Sequence, residues 1–173
     1  MIRLAKKEEL PQVAEIYEQI HGEIEKGVAT VGWIRGVYPT LKTAEDAFCK
    51  GELYLLEEGG EILAAAKINQ AQEKEYALVD WLYEAEPNEV LVMHTLVVSP
   101  KAEGRGLGRQ LIAFYEALAK EQGCKVLRID TNEKNLRARA LYQSLGFREA
   151  GVVPCTFNGI PNVPLVCLEK KIQ

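Results

Sequence analysis

The sequence predicts an α/β (α+β) domain, a mixed and mostly antiparallel central sheet of about six to seven strands flanked by helices on both faces. Three observations predict it. Short apolar runs bounded by glycine, proline or acidic residues recur along the chain and read as strands. Stretches with helical periodicity lie between them. The runs Val90–Val98 and Lys125–Asp130 are joined by one such helical stretch, and that crossover makes them a parallel pair at the centre of the sheet.

Each element has its own signal. Met1–Ala5 suits a short first strand. Lys7–His21 is an amphipathic helix with Leu10, Val13, Ile16, Tyr17 and Ile20 on one face, interrupted by Gly22 and Gly27. Gly32–Thr40 is a loop rich in glycine and aromatics. Thr40 or Thr43 caps a short helix that runs to about Lys50. Glu52–Glu57 and Glu61–Asn69 form a hairpin around Gly59-Gly60. Gln70–Asn88 is polar and acidic with Tyr76, Trp81, Leu82 and Tyr83 embedded, and suits a helical turn or an irregular loop beside the sheet. After Val90–Val98, a helix runs from about Gly106 to Gln122, and Gly123 ends it. Lys125–Asp130 follows as a strand. Asn135 caps a helix over Leu136–Leu145, closed by Gly146. Arg148–Val153 and Pro164–Lys170 read as the last strands, with Pro154–Pro164 as the turn between them.

At 173 residues, the chain reads as a single domain over 1–173, long enough to bury a proper core. Its composition, 47% hydrophobic and 27% charged, is that of an ordinary soluble protein. A net charge of -4 speaks against a general nucleic-acid binder. No apolar run is long enough to span a membrane. The start MIRLAKKEEL lacks the apolar core of a signal peptide, and Cys49, Cys124, Cys155 and Cys167 lack paired spacing, so reduced thiols in a cytoplasmic protein are expected. His21 and His94 are the only histidines, with no clustered ligands around them, so no metal is expected.

The turn Glu103-Gly104-Arg105-Gly106-Leu107-Gly108-Arg109 carries the chemistry. A strand feeding a helix through this run leaves backbone N–H groups unpaired at the helix start, and glycine lets a ligand come close. With the helix dipole, that makes an anion site suited to phosphate or pyrophosphate; a ligand-free strand–helix connection explains the same glycines. A P-loop is excluded because no Gly-Lys-Ser/Thr follows at its spacing. A dinucleotide fingerprint is excluded because position 111 is Leu where its third glycine belongs.

The turn resembles the acetyl-CoA loop of the GNAT N-acetyltransferase superfamily: Arg/Gln, two residues, Gly, one residue, Gly/Ala, after an apolar strand and at a helix start. Gly106 and Gly108 hold the two small positions. Met93–Pro100 resembles the strand before that loop, and Asn132–Phe147, with Asn135, Ala140, Tyr142, Leu145, Gly146 and Phe147, resembles the family's "N…A..LY..LGF" segment. The resemblance covers Val90–Arg148. Position 103 is Glu where the family usually has Arg or Gln.

The resemblance implies a GNAT-like acyl-CoA N-acyltransferase fold with acetyl-CoA as co-substrate. It also implies transfer of the acetyl group to a primary amine of a small molecule or peptide, by direct attack in a ternary complex. The pyrophosphate would lie on the backbone of Gly104, Arg105, Gly106, Leu107, Gly108 and Arg109, and the pantetheine arm on Leu96, Val97 and Val98. Asn135 resembles the family's cofactor-contacting asparagine and equally suits a helix cap. Arg105, Arg109 and Lys101 could meet phosphates or simply be solvated. Tyr142 resembles the family's general acid, and its spacing from Leu141 and Leu145 also suits a core aromatic. His94, on the expected cleft wall, is the first candidate base, with Glu89, Glu84 and Glu86 as rivals. Trp33, Tyr38, Trp81 and Tyr83 are candidate acceptor-pocket residues. The alternatives are a non-catalytic acyl-CoA-binding sensor of the same fold, an acyltransferase for a longer chain, a protein N-terminal or lysine acetyltransferase, and an unrelated nucleotide-binding enzyme. Strand edges near the C-terminus make a homodimer reasonable.

Overall fold

A computed structural model describes residues 1–172. One seven-stranded sheet organises them: β1 (Ile2–Leu4), β2 (Leu53–Glu58), β3 (Glu61–Asn69), β4 (Val90–Val98), β5 (Val126–Asn132), β6 (Arg148–Phe157) and β7 (Ile160–Lys171), in the order β1-β2-β3-β4-β5-β7-β6. Every neighbouring pair is antiparallel except β4–β5. Four α-helices accompany it: α1 (Leu10–Glu25), α2 (Leu41–Cys49), α3 (Leu107–Glu121) and α4 (Leu136–Ser144). No helix among the described residues is long and apolar enough to cross a membrane.

Strand periodicity divides the side chains between two faces. Leu53, Leu55, Ala65 and Val97 pack under Leu10, Val13 and Ile16 of α1 and Ala44 and Ala47 of α2. On the opposite face, Leu91, Met93, Leu127 and Ile129 pack under Ile112, Tyr115 and Ala119 of α3, with Tyr142 of α4. Among the described residues, no α-helix covers the remainder of the first face. It is covered by the irregular segment 70–88, whose Tyr76 and Val79 close over Val90, Val92 and Val126. That segment contains short 3-10 turns at Lys74–Leu78 and Pro87–Glu89.

Two expectations change. Gly22 does not interrupt α1, which continues to Glu25 because its inner face is still engaged beyond Ile20: buried His21 hydrogen-bonds the carbonyl oxygen of Pro39 through Nε2, at 3.0 Å. The last two strands are longer than the prolines suggested. Pro154 and Pro164 sit opposite each other inside the β6–β7 ladder. Pro154 is tolerated on the outermost strand, and Pro164 keeps its one useful backbone group, a carbonyl accepting from Glu133 N–H at 2.9 Å. The turn shrinks to Asn158-Gly159, with φ of 49° and 86°, the signature of a two-residue hairpin.

Candidate active site

The site begins where β4 and β5 part. Their parallel ladder holds only Val90–Met93 against Val126–Ile129. Beyond it β4 stays paired to β3 alone. There the register slips: Lys67 faces His94 but Ala65 faces Val97, so β4 carries an extra residue. Thr95 takes up the bulge at φ 51°, a conformation costly for a β-branched residue. The bulge turns β4 away from β5, leaving the β5-facing edge of Leu96–Val98 free.

A cavity of about 500 Å³ fills the resulting wedge. Thr95–Val98 line one side and Asp130–Asn132 the other, with the 102–109 turn at one end. At that turn, none of the N–H groups from Gly104 to Arg109 donates to an acceptor among the described residues; the first helical bond of α3 is Gln110 N–H to the Gly106 carbonyl. Gly104 and Gly106 have φ of 79° and 74°, and a Cβ on either would project into open space. A side chain there would occupy the approach to those donors. The turn, the dipole of α3 and the open wedge fit a phosphate-bearing cofactor with an extended arm.

The side chains sort clearly. Leu96, Val97, Val98, Gly104, Gly106, Leu107, Gly108, Arg109, Asn135, Tyr142, Trp33 and Tyr38 all border this cavity. Asn135 both caps α4, accepting from Ala138 N–H at 3.2 Å, and donates to Thr131 Oγ1 at 3.1 Å. Arg109 donates to Ser144 Oγ at 3.0 Å. Tyr142 is 5% exposed, and its hydroxyl has no hydrogen-bond partner among the described residues; burial pushes its pKa up, so it stays protonated. Tyr38 lies edge-on to Trp33 and Phe157, with its hydroxyl bonded to Thr95 Oγ1.

Other residues are not brought there. Arg105 pairs with Glu58, and Lys101 with Glu15 at 3.8 Å. Glu89 stands at the opposite end of β4, roughly 30 Å from Val98 at strand rise. There it pairs with Lys125, which holds its carboxyl below the usual range, the reverse of what a base needs. Glu84 and Glu86 precede it at the same end. Trp81 donates its indole N–H to the Tyr76 carbonyl at 2.9 Å and lies under Arg128, 4.1 Å from the ring centroid; the Tyr83 carbonyl accepts from Arg128. Both aromatics belong to the cover over the sheet, outside the cavity. His94 borders a second, neighbouring hollow of about 460 Å³. Its Nε2 is engaged by Asn69 Oδ1 at 3.0 Å and the Ala71 carbonyl at 3.2 Å, and burial, helped by Lys67, pushes its pKa down to about 4. Its Nδ1 lies 3.5 Å from Glu73 Oε1, so both ring nitrogens face protein groups beside the second hollow and outside the first cavity.

Sequence reasoning missed Asp130. It is the first residue of β5 past the last β4–β5 pair, and it borders the cavity. Its carboxylate accepts from the Tyr76 hydroxyl at 2.6 Å. Burial, with Glu73 and Glu75 nearby, raises its pKa to about 7 despite that bond. The signal in the sequence was a carboxylate ending an apolar strand, Val126-Leu127-Arg128-Ile129-Asp130.

The wall over Asp130–Asn132 comes from the α1–α2 connection. Gly32, at φ 80°, approaches so closely that a Cβ would stand 2.4 Å from Asn132 Nδ2. Gly32→Ala is therefore expected to cost about 1–2 kcal/mol, seen as a Tm lower by a few degrees in thermal denaturation.

The comparisons with known proteins agree with this geometry. The family model described as Acetyltransferase (GNAT) family matches residues 13–147. An aminoglycoside N(6')-acetyltransferase type 1 of Stenotrophomonas maltophilia is 30% identical over 70 residues, covering 40% of this chain and 46% of that protein. The curated relatives are matched over only 33% to 48% of their own length. A GNAT-family acetyltransferase structure from Streptococcus agalactiae 2603 superposes with a TM-score of 0.82 at 24% identity, covering 100% of this chain and 95% of that one. The structure of yncA from Salmonella typhimurium, solved with its cofactor acetyl-CoA, superposes with a TM-score of 0.69 at 20% identity, covering 100% and 94%. With its seven-stranded split sheet and a family match over most of its length, the chain belongs to the GNAT acetyltransferase family.

Proposed function

We propose that the protein transfers the acetyl group of acetyl-CoA to the primary amine of a small molecule or peptide, by direct attack in a ternary complex. The observation that carries this reading is the wedge itself, with free N–H groups of the 104–109 turn at one end and Asp130 and Tyr142 bordering the same cavity. Acetyl-CoA bound in the yncA structure supports the choice of co-substrate, and the named activity of the aminoglycoside relative supports a nitrogen acceptor.

Acetyl-CoA supplies an activated acyl group and a thiolate leaving group. The chain's residues supply the rest. The 104–109 N–H groups hold phosphates, and the free edge of Leu96–Val98 orients an extended arm as an added strand would be held. A backbone N–H of that edge faces the position where oxyanion charge develops. Asp130 takes the proton from the acceptor ammonium, its raised pKa matching it to neutral pH. Tyr142, protonated and unpaired, gives a proton to the departing sulfur and regains one from the excess N–H of the newly acylated nitrogen. The acceptor enters from the second hollow, which shares Tyr38, Thr95 and Phe157 with the first. No cysteine borders the cavity, and burial pushes the Cys155 and Cys167 thiols up to about 11 and about 12, which supports direct attack over an acetyl-enzyme.

The test is calorimetric titration with acetyl-CoA, with ATP as control, followed by CoA release against a panel of amines. Saturable acetyl-CoA binding and amine-dependent CoA release are expected. Binding without turnover on any amine would leave a sensor in place of an enzyme. Tyr142→Phe is expected to lower kcat by about 10²-fold with little change in acetyl-CoA affinity; undiminished turnover would remove Tyr142 from the mechanism.

A further inference from the structure

Glu103 and Arg137 form an ion pair at the rim of the cavity, and both side chains border it. Glu103 puts a negative charge beside the N–H groups that make the 104–109 turn an anion site, where it repels a phosphate. Arg137 puts a positive charge in the first turn of α4, where the helix dipole disfavours it. Both charges therefore bear on the same anion site: the carboxylate occupies ground an incoming phosphate would take, and the guanidinium can pair with either. A guanidinium fork fits a carboxylate or a phosphate equally well in geometry. The side chains are 73% and 52% exposed for Arg137 and Glu103, so the pair is screened and inexpensive to open.

On the reading of this cavity as the acetyl-CoA site, we propose that Glu103 sets cofactor affinity by competing with the cofactor's phosphates for Arg137. The pair latches across the phosphate end; binding exchanges the carboxylate for a phosphate on the same guanidinium and leaves Glu103 to solvent. The residue thereby weakens the resting affinity and speeds release of the CoA product, whose phosphates are those of the substrate.

A double-mutant cycle tests this, by calorimetric titration of acetyl-CoA into wild type, Glu103→Gln, Arg137→Gln and the double variant at low ionic strength. Both side chains are exposed, so these isosteric or shortened polar replacements leave packing untouched. Glu103→Gln is expected to bind about three- to tenfold tighter and Arg137→Gln weaker by a similar factor, with the gain from Glu103→Gln falling below about twofold once Arg137 is gone. Unchanged or weaker binding by Glu103→Gln would make the pair a mere tether between the turn and α4 and overturn the proposal. An equal gain in both backgrounds would overturn it too, leaving simple charge repulsion. Failure of wild type and all variants to bind would instead bring down the acetyl-CoA reading of the cavity, and the latch with it.

Discussion

Asp130→Asn is expected to lower kcat/KM by about 10²–10⁴-fold while acetyl-CoA affinity stays nearly constant. The amide keeps the shape and can still accept from the Tyr76 hydroxyl, now 2.6 Å from the carboxylate, so the change removes proton affinity more than packing. The pH dependence separates this from a structural defect. In wild type, activity should rise as pH passes through about 7, where Asp130 becomes ionised; the residual activity of the variant should lack that limb. Stability should move the other way. The folded pKa lies above the ordinary 3.8, so the native state holds the proton longer than the unfolded chain. Between about 4 and about 7 wild type therefore loses stability as pH rises, and the Asp130→Asn variant does not. Thermal melts at pH 4 and pH 8 should show the variant gaining on wild type at the higher pH. A variant that melts lower at pH 8 and keeps wild-type turnover would remove Asp130 from the role of base.

The largest expected loss of stability comes from Glu169→Ala. Glu169 is fully buried on β7, yet ionic contact and two backbone donors meet it: Leu82 N–H at 2.9 Å, Tyr83 N–H at 3.2 Å and the guanidinium of Arg148. It is the peg on which the irregular 70–88 cover hangs. Truncation leaves the Leu82 and Tyr83 N–H groups without their acceptor in an apolar setting and deprives the part-exposed Arg148 of its partner, costing about 3 kcal/mol. For a chain of this size that is a Tm lower by roughly 10 °C, with faster proteolysis inside 70–88. Because the Tyr76 hydroxyl reaches Asp130 from the same segment, activity should fall along with stability, and Glu169→Gln should recover part of both. A Tm within two or three degrees of wild type, on the order of 1 kcal/mol, would show that the cover is held by its other contacts and not by Glu169.

What the sequence disclosed follows from how local each feature is. Hairpins and the crossover were legible because Gly59-Gly60 and the Val90–Val98, helix, Lys125–Asp130 succession act through neighbouring residues. The free N–H groups of 104–109 were legible because they belong to backbone, and glycine announces backbone. Pro154 and Pro164 misled because a proline's cost depends on which neighbour its missing N–H would have faced, and that is a property of the sheet order. The proposed base was illegible for a similar reason. Glu89 and Asp130 are both carboxylates next to central strands, but one begins β4 and the other lies near the end of β5. In a parallel pair only the carboxyl ends splay into a crevice, so strand polarity, not residue type, decides between them. Trp81 and Tyr83 read as pocket aromatics until Arg128 and Glu169, both distant in sequence, claimed their segment for the sheet.

The parted strands also bear on aggregation. An unpaired strand edge invites a stranger's backbone and is the usual seed of aggregation. The outer borders of this sheet are poor templates: β1 is three residues long, and β6 carries Pro154 in mid-strand. The one inviting edge, Leu96–Val98, is recessed between β4 and β5, bent by the bulge at Thr95 and roofed by the chain around Gly32. A slender thread can slip in beside it, whereas a second polypeptide with side chains on both faces cannot. The same recess that admits a narrow guest therefore serves as quarantine, and loosening its roof should show first as turbidity on storage.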